Sequence, residues 1–445
     1  MMKKVFALFL LVAVLLSACA PAATPAPLAT EVPAPTTVPA TAVPTEVPPT
    51  MVPVELRFTY YADGVEADVM QPLLDKFMAE NPGITVVLDV VPYKTIDEQL
   101  PVQLESGAGP DLARITNFGA YKTKLLDLRP ILADSAYYEA NFPAPILEAL
   151  NYGGFPDTLT VTGPYVNKTL FDQASIALPG EGATWQEWTE ATDKVAKATG
   201  VQYAIAIDRT GHRFAGPAMS MGATLINAEN GFTVDTPGFR AFAEIVKGWH
   251  DQGLTPKEVW LGAEPVNSCI AAFKSGQLVM CMSGSWQING VAKDVGDAFD
   301  WVVVPNPSGE GGSTGIAGGS AVVAFASSKH PAEVAKLMEF LIKAENYSAF
   351  SAGTLALPAH KEVAAQGVEF KTDNPLVLAA LAAYTKEVSK LTDQAVSLNV
   401  HPYAFAYYRN SANRIAQYLT GELTLDEMLV NLQQDIDKAI AEAQK

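Results

Sequence analysis

From Val54 onward the chain alternates short β-type runs with amphipathic helices, and this alternation constrains the fold more than any other feature. "VELRFTYY" reads as a strand, "EADVMQPLLDKFMAE" as a helix stopped by Asn81-Pro82-Gly83, and "ITVVLDVV" as the next strand. "TIDEQLPVQLESG" follows as a helix opened by a Thr95/Glu98 capping box and kinked at Pro101, and "PDLARIT" as a third strand. Strand–helix–strand order predicts a mainly parallel sheet flanked by helices, because each parallel return needs a crossover. The alternation resumes at 184–200, a helix with a Thr184/Glu187 box and a Gly200 stop, followed by the strand "VQYAIAI". A helix over 236–253 has Pro237 at its first position and Gly253 as its stop. Then come "AAFKSGQLVMCMSGSW", the strand "DWVVVP", a Gly/Ser loop over 308–320, the strand "AVVAFA", a helix from Pro331 and a helical end with a Thr424/Glu427 box. The 445 residues exceed one compact core and suffice for two or three.

The residues before Val54 carry an address. Lys3-Lys4, an apolar run and Leu16-Ser17-Ala18-Cys19 make a secretory signal too short for an ordinary membrane span. The ending resembles a bacterial lipobox, so 1–18 is expected to be removed and Cys19 lipidated. The alternative is a plain secretory peptide that ends at a cysteine by chance. Residues 20–53 are almost wholly Ala, Pro, Thr and Val and can bury no core. Together 19–53 reads as a tether; at ~3.1 Å per residue in polyproline geometry it reaches roughly 100 Å. The expected location is the cell envelope: the outer face of the cytoplasmic membrane, the periplasm or the cell surface.

A formal net charge of -18 disfavours nucleic acid and anionic lipid surfaces as partners. Beyond Cys19 only Cys269 and Cys281 remain. Export permits a disulfide between them, and a helix folding back on the following strand brings them near, but the sequence leaves bonded and free thiols both open. Two cysteines and histidines at 212, 250, 330, 360 and 401 show no metal-ligand spacing, so no metal is expected.

No catalytic motif of the G-x-S-x-G, H-E-x-x-H or Walker type occurs. The loop "PSGEGGSTGIAGGS" lacks the Gly-Lys-Ser/Thr ending and runs into a strand, which argues against a phosphate cradle. With 48 acidic residues, a pair of carboxylates carries no information. Neither catalytic residues nor a cofactor are therefore expected. Binding has better support. In open α/β sheets ligands sit at the carboxyl ends of strands. Aromatics recur there: Tyr60, Tyr61, Tyr165 and Trp286, the last delivered by Ser283-Gly284-Ser285. Polar candidates at the same ends are Asp63, Arg114, Thr116, Asn117, Asn167 and Ser285. Aromatic faces suit the C–H faces of sugars, and polar neighbours suit their hydroxyls. Each of these residues has a plainer alternative as a core aromatic or a solvated loop residue. Trp185 and Trp188, at i and i+3 in one helix, are read as core.

Taken together, "ENPGITVVLDVVPY", "LESGAGPDLARI", "YVNKTLFDQASI" with "ATWQEWTEATDKV", "AAFKSGQLVMCMSGSW", "GGSAVVAFASSKHPAEVAKLMEFL" and "GTLALPAH" give the folded part its likeness. It resembles the family 1 extracellular solute-binding proteins, the carbohydrate-binding lipoproteins of ABC importers related to maltose-binding protein. The resemblance implies an α/β, two-lobed periplasmic-binding-protein-like fold of type II, with the ligand cleft between lobes. It assigns 54–161 plus 318–356 to lobe 1 and 162–317 plus 357–445 to lobe 2, with crossings near 160–164, the Gly/Ser loop and Leu355–Pro358. It also implies that Trp286 stacks on sugar, that a monomer works with ABC permease subunits, and that the chain is no enzyme. Where the family has a paired tyrosine before Asn-Lys, this chain has Pro164-Tyr165-Val166. Competing expectations are the same fold holding a polyol, a glycerol phosphodiester or a polyamine, a secreted hydrolase, or a surface adhesin.

Overall fold

The computed structural model describes residues 53–261 and 268–444. The signal segment, Cys19 and the tether as far as residue 52 lie outside the described residues.

The first strands form where expected: β1 (Val54–Tyr60), β2 (Ile84–Val90) and β3 (Leu112–Ile115). The remaining strands are β4 (Gly154–Asn167), β5 (Tyr203–Ile207), β6 (Leu278–Gly284), β7 (Trp301–Val303), β8 (Ser308–Gly309), β9 (Gly312–Ser313) and β10 (Ala317–Ala324). The main sheet runs β2-β1-β3-β10-β4-β6-β5, with β7 also on β4. β1 is parallel to β2 and β3, and β5 is parallel to β6. Within this sheet the antiparallel pairs all involve β4 or β10, and β8 and β9 form a separate antiparallel pair.

β4 is the hinge of this topology. Its first half, to Val161, pairs with β10, and its second half, Thr162 to Asn167, pairs with β6 and β7. One strand thus belongs to two packed halves. Where β10 meets β4 the register shifts between Ser320 and Ala321. Gly319 sits there at φ 136°, and a Cβ on it would lie 2.1 Å from the Thr158 carbonyl oxygen, so the strands can approach only over a glycine.

Each half has its own core. In the first, alternate residues serve opposite faces, as a pleated strand requires. Val322 and Ala324 join Leu56, Phe58, Leu74 and Phe77, whereas Ala321 and Val323 join Ile96, Leu100, Ala113 and Ile115. The second half packs Trp185, Trp188, Phe214, Phe242, Trp249 and Ile415 around β5 and β6. Trp185 and Trp188 are core, as their spacing predicts.

Helix Glu66–Glu80 matches its expected span, and the Thr184/Glu187 and Thr424/Glu427 boxes both close. The Thr95/Glu98 box does not. That helix runs Tyr93–Glu105 and starts after Pro92, whose extended ψ of 145° launches it without a side-chain cap. The Gly/Ser loop is more ordered than its composition suggests, because it holds the β8–β9 hairpin and the start of β10. Cys269 and Cys281 are joined by a disulfide, with Cα atoms 5.7 Å apart. Among the described residues no helix is long and apolar enough to cross a membrane.

Candidate functional site

The carboxyl ends of β1 and β3 place Tyr60, Tyr61, Asp63, Arg114, Thr116 and Asn117 in one neighbourhood, but burial divides their roles. Arg114 is 2% exposed. Its Nε donates to Asp157 Oδ2 at 2.8 Å, and its Nη1 donates to the Tyr61 carbonyl at 2.9 Å. Its guanidinium lies 4.5 Å from the Tyr61 ring centroid and 5.2 Å from that of Tyr60. Burial works against this charge, yet Asp157 beside it holds the guanidinium well above its ordinary value. Asp157 is itself held by the Ser320 hydroxyl at 2.6 Å. Arg114 is therefore a structural cation whose charge is already matched. Tyr60 is fully buried with its hydroxyl unpartnered. Tyr61 is buried edge-on against Tyr93, whose hydroxyl meets Thr116 Oγ1 at 2.9 Å. Thr116 and Asn117 are half-buried, and Asp63 is open to solvent.

In the second half, Tyr165 and Asn167 belong to the interior, not to a strand end. Gly163-Pro164 reads as a terminus in the sequence, but β4 continues through both residues to Asn167. Tyr165 is wholly buried among Phe273, Trp301 and Tyr384, and its hydroxyl donates to the Gly284 carbonyl at 2.9 Å. Asn167 Oδ1 accepts from Leu170 N at 3.1 Å and caps helix Lys168–Ala174. Ser285 is buried, its Oγ accepting from Val161 N at 3.3 Å, which ties the turn after β6 to β4.

Trp286 differs from the other five tryptophans, which are all at most 2% exposed. It is half-buried. Its ring folds back onto Gly284, where a Cβ would come within 1.9 Å of Cζ3, so only glycine permits this placement. The Arg213 guanidinium carbon lies 3.9 Å from the ring centroid.

Arg213 was not among the residues singled out from the sequence. It sits in the first turn of helix Gly211–Ser220, which begins just after β5 and is capped by Thr210. Strand, short turn and helix N-terminus in "AIAIDRTGHRF" is the signal that points to it. His212 Nε2 bonds the Ala317 carbonyl at 2.9 Å, which assigns its proton and leaves Nδ1 to accept from Arg213 Nη1. Burial, reinforced by the neighbouring Arg213, keeps His212 neutral, well below the usual imidazole range. Burial also lowers Arg213 to about 10, with Asp208, Tyr408 and Asp63 partly offsetting it. Asp208 is buried and fully engaged: Oδ1 accepts from Ser268 Oγ at 2.7 Å and Cys269 N at 2.8 Å, and Oδ2 accepts from Ser283 Oγ at 2.6 Å. Its proximity to Cys269 and Cys281 has the outline of a metal triad, but both sulfurs are taken up in the disulfide.

The two halves meet around these residues. Arg409, from helix Ala404–Thr420, pairs with Asp97 of helix Tyr93–Glu105. Gly119 lies so close to Pro402 that a Cβ would be 2.4 Å from its carbonyl oxygen. The turn that carries Trp286 is tied to β4 at Val161, and the helix that carries Arg213 is tied to β10 at Ala317, so an indole and a guanidinium stand where the halves join. It is chemistry for holding a polar solute.

Two α/β halves sharing strand β4, with polar and aromatic side chains at their seam, define the two-lobed frame of type II binding proteins. The chain belongs to the family of bacterial extracellular solute-binding proteins, whose sequence model matches residues 73–379. Membership makes it a solute-binding protein and not an enzyme. A candidate binding protein of Brucella abortus is 27% identical over 322 residues, 69% of this chain and 75% of that one. A lipoprotein of Streptomyces antibioticus with no assigned role is 25% identical over 305 residues, 64% of this chain and 66% of that one. Among solved structures, an ABC substrate-binding protein of Listeria monocytogenes in complex with cycloalternan superposes with a TM-score of 0.73 at 18% identity, covering 87% of this chain and 99% of that one. Maltose-bound MalE3 of T. maritima superposes with a TM-score of 0.71 at 17% identity, covering 87% of this chain and 100% of that one.

Proposed function

We propose that the protein captures a sugar or oligosaccharide between two lobes, closes on it, and delivers it to the permease of an ABC-type importer. The lobes are 54–161 plus 318–356 and 162–317 plus 357–445, which places their crossing inside β4. The carrying observation is Trp286: it is the one tryptophan left half-exposed, at the seam, with its ring laid over Gly284 where a Cβ would not fit. Asp63, Thr116 and Asn117 supply the surrounding wall, backed by the buried Tyr61 and Ser285. The family supports a solute as ligand, and the sugar complexes of the structural neighbours favour carbohydrate among solutes. The anionic-ligand alternative rested on Arg114, and that cation is already matched by Asp157.

The protein works as a monomer, anchored through a lipid on Cys19 with 20–53 as its tether, on the outer face of the cytoplasmic membrane. Contact of the halves through Asp97–Arg409 is in keeping with a lobe-closing mechanism. A thermal-shift screen tests the reading. A ligand that binds only the folded form adds about 2.7 kcal/mol of stability at a hundred times its Kd. At least one carbohydrate should raise the melting temperature. A panel of mono- and oligosaccharides with no effect, beside a polyol or polyamine that stabilises, would refute the sugar.

A further inference from the structure

We propose that Arg213 is a displaceable lid on Trp286, so that a carbohydrate must move this guanidinium aside before it can stack. This rests on the reading of Trp286 as the sugar platform and adds a determinant of how tightly that platform is occupied.

Three observations support it. The first is space. With the guanidinium carbon 3.9 Å from the indole centroid, the two planar groups are in van der Waals contact. No second ring fits between them. The inner edge of the indole is already closed by Gly284. The surface that Arg213 covers is therefore the surface a pyranose needs.

The second is weak anchorage. Arg213 donates through Nη1 to His212 Nδ1, whereas its buried Nε has no acceptor. Among the described residues no carboxylate stands within ion-pair distance of it. Asp208 is nearby but already accepts three hydrogen bonds from Ser268, Cys269 and Ser283. A half-buried guanidinium whose buried Nε donor is unmet is poorly satisfied where it lies.

The third is a place to go. Asp63, after β1 of the other half, keeps an exposed surface and is in no ion pair among the described residues; its surroundings raise its carboxyl above the ordinary value by desolvation, and Arg114 and Arg213 partly offset this. Swinging off the indole toward Asp63 exchanges a cation–π contact for a charge-assisted hydrogen bond across the seam. Ligand entry and pairing of the halves become one movement.

Arg213→Lys is the informative variant, because it keeps a cation beside Asp208 and removes the flat lid. Binding of maltose and of mannotriose is measured by calorimetry in wild type, Arg213→Lys, Trp286→Ala and the double variant. The lid predicts that Arg213→Lys tightens binding by about 2- to 30-fold, the affinity equivalent of a cation–π contact. In the Trp286→Ala background the same change should alter Kd by less than about twofold. Weaker binding by Arg213→Lys, or equal tightening without the indole, overturns the lid. If Trp286→Ala leaves Kd unchanged, or neither these two sugars nor any other saccharide of the thermal-shift panel binds wild type, the platform reading fails and takes the lid with it. Acrylamide quenching of the ligand-free proteins checks the geometry directly. Arg213→Lys should raise the quenching of the one partly exposed tryptophan, Trp286, and unchanged quenching would also overturn the proposal.

Discussion

Removing the Cys269–Cys281 bond should lower stability by an amount that the loop length sets. Cys269 immediately precedes the short helix Ile270–Lys274, Cys281 lies within β6, and both are fully buried. The separation of 12 residues closes a small loop. In the chain-entropy account such a loop restricts the unfolded ensemble by about 3 kcal/mol at 25 °C. Unfolding entropy near 60 °C is about 2.1 cal/mol/K per residue, on the order of 0.8 kcal/mol/K for a chain of this size. The melting temperature should therefore fall by about 3–4 °C. Scanning calorimetry of wild type with and without reductant, beside the Cys269→Ala/Cys281→Ala double variant, reads this. The wild type should lose its increment in reductant, and the double variant should be insensitive to it. A wild-type melting temperature unmoved within about 1 °C by full reduction, or two free thiols at these positions on mapping the unreduced protein, would refute the reasoning.

Other expectations follow from the same geometry. Trp286→Ala should weaken sugar binding about 5- to 150-fold, the range of aromatic stacking on rings, with little change in melting temperature; a large fall in melting temperature at unchanged affinity would make the indole a core residue. Gly284→Ala should reproduce that loss, because its Cβ would stand 1.9 Å from the indole; wild-type affinity would contradict it. Burial, reinforced by Lys257 and Lys247, lowers His250 to about 4. Below pH ~6.5 the unfolded chain takes up a proton that the folded chain refuses, so this residue costs up to about 1.4 kcal/mol of stability per pH unit down to its folded value. His250→Leu should flatten the pH dependence of chemical denaturation over that window, and an unchanged slope would contradict the assignment. Cys19→Ser should move the protein from the membrane to the soluble fraction, and continued retention would remove the lipid anchor.

Much of the architecture is legible in local pattern. Thr184/Glu187 and Thr424/Glu427 announce helix starts because each box satisfies otherwise free backbone donors. Thr95/Glu98 has the same spelling and fails, because the helix has already begun at Tyr93 with Pro92 in the N-cap position, three residues before Thr95. Tyr165 shows a deeper limit. Pro164 reads as a strand end, yet the strand pairs on through it because β6 and β7 lie against it, a partnership made far away in sequence. The site divides in the same way. Trp286 stands out as a lone aromatic after small residues. The strand–turn–helix run around Arg213 and Asp208 marks a strand end, but the contact of Arg213 with the indole and of Asp208 with Ser283 exists only once helix Gly211–Ser220 is brought beside β6 and the turn after it. Arg114 has the charge of a ligand contact, and only the fold supplies the Asp157 that neutralises it.

The central claim is capture of a carbohydrate at the Trp286 seam, and calorimetric titration of the purified protein with a sugar panel, repeated on Trp286→Ala, tests it most directly. The account predicts at least one saccharide that binds wild type one to one and binds the variant at least about fivefold more weakly, with the variant still folded. Saturable binding of a polyol, polyamine or glycerol phosphodiester with no response to any saccharide would contradict it, as would a saccharide that binds wild type and Trp286→Ala equally well.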